Sequence, residues 1–221
     1  MKIAFLLIPV FAAVAVLLPV TAGWGQDVPG FSLGGFFEYR IENEIGDDNL
    51  AFTYYGARLA FRDERWVEFF IDGGGERISF DPVKDETAAC FGLGGTFWLT
   101  RGDPGWGPLD IGLFGAGYFA DYSGVRFEDP GVKADLKHFR GLGQLVVRWY
   151  VNQDFKAFVK GGVQYSKLDP SGDEIDDDDF SATKPAVNAG VDLQLAENLI
   201  ATVELNYSES VGGAVRLNYW F

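Results

Sequence analysis

The stretch "DPSGDEIDDDDFSATK", residues 169–184, sets a dense run of carboxylates against one lysine, Lys184. Hard carboxylate oxygens that converge can hold calcium, and Asp173, Asp176 and Asp178 are the candidate ligands. The run lacks the spaced ligand order and central glycine of an EF-hand loop, so a solvated acidic loop is the plain alternative. No other cofactor is expected. The second chemical candidate is His138, the one histidine of the chain, in "ADLKHF". An imidazole beside a carboxylate such as Asp135 can act as a general base toward a hydroxyl nucleophile. Ser123 and Ser166 could supply that hydroxyl, but spacing brings neither to His138. An enzyme is therefore not expected. The glycine clusters at 92–95 and 115–117 lack the strand–loop–helix setting that makes a phosphate loop. Cys90 is the single cysteine, which excludes an intrachain disulfide.

Candidate side chains need a scaffold, and composition narrows it. A net charge of −14 with no Lys/Arg run excludes nucleic acid as a partner. Met1-Lys2, an apolar run over Ile3 to Val20 and the small residues of "TAGWGQD" read as an export signal over 1–25. The rival is a membrane anchor, and Pro9 and Pro19 count against it by interrupting the helix. The working domain is then 26–221. Within it, every apolar run is broken long before the ~18 residues of a spanning helix.

Period two organises what remains, because successive strand residues point to opposite faces. In "FSLGGFFEYRI" the odd set is Phe31, Leu33, Gly35, Phe37, Tyr39 and Ile41, while Glu38 and Arg40 fall in the even set. The pattern predicts ten strands: 30–43, 50–62, 66–75, 88–101, 109–121, 137–151, 155–168, 185–195, 199–209 and 213–221. Even positions carry Glu38, Arg40, Arg58, Arg62, Glu68, Asp72, Asp110, Arg140, Arg148, Lys156, Lys160, Asp192, Glu204 and Arg216. The odd face is apolar, with aromatics toward its rims: Phe31, Phe61, Phe97, Trp149, Phe155 and Tyr219 at one, Tyr39, Tyr165 and Tyr207 at the other. A soluble sandwich would have to cover that face, and no helix is available to do so. The prediction is an all-β fold: a closed, antiparallel transmembrane barrel of ten strands, with a lipid-facing aromatic girdle and a charged lumen. Eight strands is the alternative if the third or tenth segment does not pair. Links after strands 1, 3, 5 and 7 are expected to be long outer loops, the others mostly short turns.

The chain ends on "GGAVRLNYWF". With that ending and the ten-strand pattern, it resembles the small Gram-negative outer-membrane β-barrel proteins, porin-like in architecture. In that group the last strand ends on an aromatic with apolar residues alternating upstream, here Phe221, Tyr219, Leu217 and Val215. The resemblance implies that the outer-membrane assembly machinery reads this strand. It also implies an outer-membrane location among lipids and lipopolysaccharide. Ten strands are also similar to the omptin proteases, which use acidic residues and a histidine at the outer rim. Their four-residue constellation has no match here beyond His138 and Asp135. Three functional readings stand: a structural or surface-interaction barrel with a filled, salt-bridged lumen; a narrow porin-like channel for small polar solutes; and a hydrolase at the rim. Oligomeric state is open, since a lipid-facing wall can also meet a second barrel.

Overall fold

The structure, a computed structural model, describes residues 30–45, 48–63, 66–80, 83–101, 109–126, 133–152, 154–171, 180–208 and 210–221. The expected signal segment 1–25 and the carboxylates Asp173, Asp176 and Asp178 lie outside the described residues. Ten strands follow one another: β1 (Gly30–Ile45), β2 (Asp48–Arg62), β3 (Val67–Phe80), β4 (Val83–Thr100) and β5 (Leu109–Arg126). They continue as β6 (Lys133–Tyr150), β7 (Phe155–Ser171), β8 (Phe180–Ala196), β9 (Leu199–Ser208) and β10 (Ser210–Trp220). Each pairs antiparallel with its chain neighbours, and β10 closes on β1 from Ser32↔Trp220 to Tyr39↔Gly213. β3 and β10 are full members of the ring, which removes the eight-strand alternative.

Register explains why parity survives the whole circuit. Phe36 lies opposite Gly56, then Gly74, Cys90, Ala120, His138, Leu168 and Phe180, strand after strand. Directly paired residues share a face, so along this path an even position meets an even one. The same path climbs from the middle of β1 to the first residue of β8. That climb is the stagger of strands tilted against the barrel axis. Even positions such as Ser32, Tyr54, Asp72, Trp98 and Glu204 are buried, and odd ones such as Leu33, Phe91, Leu205 and Val211 are exposed. Phe91 and Val211 each keep 65% of their surface open. A continuous wall of large apolar side chains belongs in hydrocarbon, and a closed ring is the sheet that hydrocarbon tolerates.

The girdle candidates all sit on this outer wall. Phe31, Tyr39, Phe61, Phe97, Trp149, Tyr165, Tyr207 and Tyr219 are exposed, and Phe155 is half-buried. Phe31 and Phe61 pair across β1–β2 with ring centres 5.2 Å apart. Trp66 joins the exposed set at the end of the barrel that carries the short turns. Val215, Leu217, Tyr219 and Phe221 of β10 and its exit line the same wall, and the Phe221 amide donates to the Phe31 carbonyl at 2.9 Å.

The two ends differ, though not as the loop lengths predict. β3 runs to Phe80 rather than 75, β4 starts at Val83 rather than 88, and β8 starts at Phe180 rather than 185. Much of what reads as outer loop is therefore paired sheet that continues past the apolar band. Outward side chains there turn polar: Arg77, Thr87, Asp121, Asp135 and Lys137 are exposed. Asp121, Lys137 and Asp169 are register neighbours across three strands, so charges alternate along this hairpin end. Lys167, also at an odd position, pairs with Asp169 at 3.5 Å. A ladder needs only partners for its amides, and in water its outer face can be polar. The register shifts near strand ends at Asn43/Ile45, Ile78/Phe80, Trp98/Thr100 and Gln194/Ala196, and in β5 between Tyr122 and Val125, where Gly124 takes φ 70°. That bulge turns Val125 inward, where it is buried.

Bulky interior rings need bare backbone opposite them. A Cβ on Gly92 would lie 2.5 Å from the Tyr118 ring, and one on Gly94 would lie 2.6 Å from that of Phe70. Substituting Gly92→Val should therefore destabilise the barrel by about 1–3 kcal/mol through overpacking. The check is a lower urea midpoint in detergent micelles, read as loss of the compact, heat-modifiable band on unboiled gels.

Candidate functional site: the barrel interior

Interior polarity follows from the even positions, and the structure pairs the charged residues among them. At mid-height Glu38 accepts from Arg40, which also donates to Gln164, and from Arg140 Nη1 at 3.0 Å. The Arg140 guanidinium is held between the Tyr54 and Tyr118 rings, 4.3 Å from each centre. Arg58 grips Asp72 through two bonds of 2.7 and 2.6 Å while its guanidinium lies 3.7 Å over Phe70. Glu204 accepts from Lys160 at 3.0 Å and from Arg216 at 2.8 Å, and Asn188 donates to its other oxygen. Nearer the turns, Arg148 donates to both oxygens of Glu68 at 3.2 and 3.3 Å. It also reaches Asp110 and Asp192 at 3.9 Å each. Tyr150 donates to Asp110 at 2.7 Å, and Thr202 to Asp192 at 2.7 Å. Arg62 stacks 4.1 Å over Trp220, and Lys156 lies 4.8 Å from the Tyr150 ring centre. The sequence expectation is a lumen crossed by salt bridges, and the contacts named here centre on Glu38, Asp72, Glu204 and Glu68.

The two halves of the lumen are filled differently. Toward the hairpin end, Phe52, Tyr54, Ile78, Tyr122, Leu136 and Leu168 pack with Cys90 into a buried cluster. His138 sits inside it with Phe52 stacked on its imidazole at 4.3 Å. Its Nδ1 is 2.7 Å from Glu76 Oε1 and 3.4 Å from the Tyr54 hydroxyl, and its Nε2 is 3.1 Å from Ser166 Oγ. Tyr122 donates to the same Glu76 oxygen at 2.6 Å. Asp135 is not the partner of His138: its Oδ1 accepts from the Gly124 amide at 2.7 Å and holds the bulge. Ser123 is exposed on the outer face.

Toward the turns the lumen opens into a cavity of about 430 Å³. Arg58, Arg148, Lys160, Asp192, Arg216 and Trp220 line it, with Asp154, Glu197 and Asn198 of the turns at its mouth. Among the described residues, no group of three or more His, Cys, Asp or Glu is arranged to hold a metal ion.

Several interior residues escape a search for charged strand positions. Glu76 lies one residue past the predicted end of strand 3, at 75, and the even parity it shares with His138 is the signal for it. Gln144, Gln164, Asn188 and Asn206 are neutral, even-numbered and buried. Gln144 donates to Asn188 at 2.9 Å, and Asn188 to Asn206 at 2.7 Å.

No protein-family model matches the chain, and no curated protein matches it in sequence. Solved structures do match in shape. An outer membrane channel from Pseudomonas putida F1 is similar over 92% of this chain and 100% of its own, at 12% identity and a TM-score of 0.50. The translocator domain of the autotransporter NalP from Neisseria meningitidis is 13% identical, covering 99% and 96% of the two chains, with a TM-score of 0.47. Ail, the attachment invasion locus protein of Yersinia pestis, is 14% identical over 87% and 97%, with a TM-score of 0.42. The fold is that of an outer-membrane β-barrel.

The Glu204 group offers a direct test of interior electrostatics. Replacing Glu204→Ala leaves Lys160 and Arg216 facing each other without their carboxylate, and should cost about 3–5 kcal/mol. Lys167→Met, at the half-exposed Asp169 pair, should cost no more than about 1 kcal/mol. Paired urea titrations of the two variants in the same micelles check the contrast.

Proposed function

We propose that this protein is an integral outer-membrane barrel that does not conduct. It anchors its hairpin end at the cell surface as a scaffold for contact, with the turn end in the periplasm. The observation that carries this reading is the packed layer across the hairpin half of the lumen, where Phe52, Tyr54, Ile78, Tyr122 and His138 are each 2% exposed or less. A filled layer leaves no continuous water path from one end of the barrel to the other, and side chains of an interior this narrow suffice to fill it. Lipid covers the odd face from Phe31 to Phe221, and the alternating charges at Asp121, Lys137 and Asp169 suit the headgroup level, including lipopolysaccharide. Val215, Leu217, Tyr219 and Phe221 stand on the outer wall, where an assembly machine can reach them.

The second reading, a narrow channel, is favoured by the charged cavity at the turn end. Planar-bilayer recording separates the two. The scaffold reading expects no steady current from the wild-type barrel, and leak after the double change Phe52→Ala and Tyr122→Ala removes two plugs of the layer. Steady single-channel steps from the unaltered protein would sink it.

A further inference from the structure

We propose, beyond the scaffold reading, that Ser166, His138 and Glu76 form a serine-hydrolase triad inside the hairpin half of the barrel, acting on a small apolar carboxylic ester. Three strands contribute: β3 brings Glu76, β6 brings His138 and β7 brings Ser166. The Glu76 carboxylate lies 2.7 Å from His138 Nδ1, which places the ring proton on that nitrogen. The lone pair of Nε2 is then turned to Ser166 Oγ at 3.1 Å, the reach of a general base to its nucleophile. Tyr122 donates to Glu76, and Phe52 stacks on the imidazole, so both the carboxylate and the ring are locked in place. An orienting acid, a tautomer and an aligned hydroxyl are the three parts of such a relay, recognised by geometry rather than by chain order.

The members differ in access. Glu76 and His138 are 1% exposed, while Ser166 is only partly buried. Of the three, Ser166 alone retains exposed surface, so an entering ester reaches the triad from its side. Arg140 is the direct cross-strand partner of Ser166 on the same inner face. Its guanidinium, held by Glu38 and between the Tyr54 and Tyr118 rings, adds positive charge to this part of the lumen. Leu168, two residues along β7 and opposite His138 in the ladder, and Leu136 make the surroundings apolar. The filled layer restricts the acyl group to a short one.

The reaction balances with water as the only co-reactant. Ser166 Oγ bonds to the carbonyl carbon as its proton passes to His138 Nε2. The tetrahedral adduct expels the alkoxide, which leaves as the alcohol with that proton. Water, deprotonated by Nε2, then attacks the acyl-serine and releases the carboxylic acid, and the proton returns to Oγ.

The test uses the folded protein in detergent micelles and a fluorescent alkyl fluorophosphonate. Attack forms an Oγ–P bond and expels fluoride, so the expected result is a phosphonyl mass increment on the peptide that holds Ser166. Labelling and p-nitrophenyl butyrate hydrolysis should vanish in Ser166→Ala and fall at least about 10²-fold in His138→Asn and Glu76→Gln. Heat-modifiable migration confirms that each variant is folded. Ser166→Ala removes one oxygen and should keep the fold, so it carries the comparison if a buried-pair variant does not. A folded wild-type barrel with no phosphonyl group on Ser166, or ester turnover equal to that of Ser166→Ala, overturns the triad. A merely structural network would give that result. Conductance is unaffected by either outcome, so the scaffold reading stands or falls separately.

Discussion

Ring closure is the constraint on which everything else hangs. A strand in hydrocarbon has no water to take up its amides, so every N–H and C=O of the spanning segment must find a partner in a neighbouring strand. The seam between β1 and β10 supplies the last set, from Ser32↔Trp220 to Tyr39↔Gly213. Without it two edges would face lipid. Closure also commits the side chains: once the ring is shut, one parity faces outward and the other has nowhere to go but the lumen.

The lumen therefore inherits a packing problem and an electrostatic one. Its rings are accommodated by bare glycine backbone, as where Tyr118 crosses Gly92. Its charges are taken from water and have to be compensated within reach. The structure meets this locally, with Glu38 between Arg40 and Arg140 and with Glu204 between Lys160 and Arg216. Aromatic faces extend the same compensation, as with Arg58 over Phe70 and Arg148 over Trp98 at 4.2 Å. Where charge thins out toward the hairpins, apolar rings take over and the cross-section fills. Where charge is dense, near the turns, the lumen opens into space.

Functional chemistry is drawn from the same compromise. The one histidine lies in the tightest part of the interior, and that packing would be costly for an imidazole left without partners. Glu76, Tyr54 and Ser166 satisfy it from three other strands. The polar contacts that make His138 tolerable in a packed core are the same contacts that orient a base toward a hydroxyl. Stability and reactivity share residues here, and only chemistry on Ser166 tells them apart.

By itself the sequence determined the wall. Ten segments of alternating character, with odd positions apolar and even ones polar, follow from the two-residue period of a strand and need no knowledge of what lies across the lumen. Strand pairing was equally within its reach, because a closed antiparallel ring pairs each strand with its chain neighbours. Strand ends were less so: the sheet persists beyond the apolar band, where outward positions such as Arg77 and Lys137 lose the hydrophobic signal while the ladder goes on. What only the tertiary structure decided is which even residues meet. Asp135 is three residues from His138 yet holds Gly124, while Glu76 comes to the imidazole from β3 and Ser166 from β7. Contacts across a barrel depend on its diameter and on the stagger accumulated seam by seam, and a one-dimensional spacing carries neither.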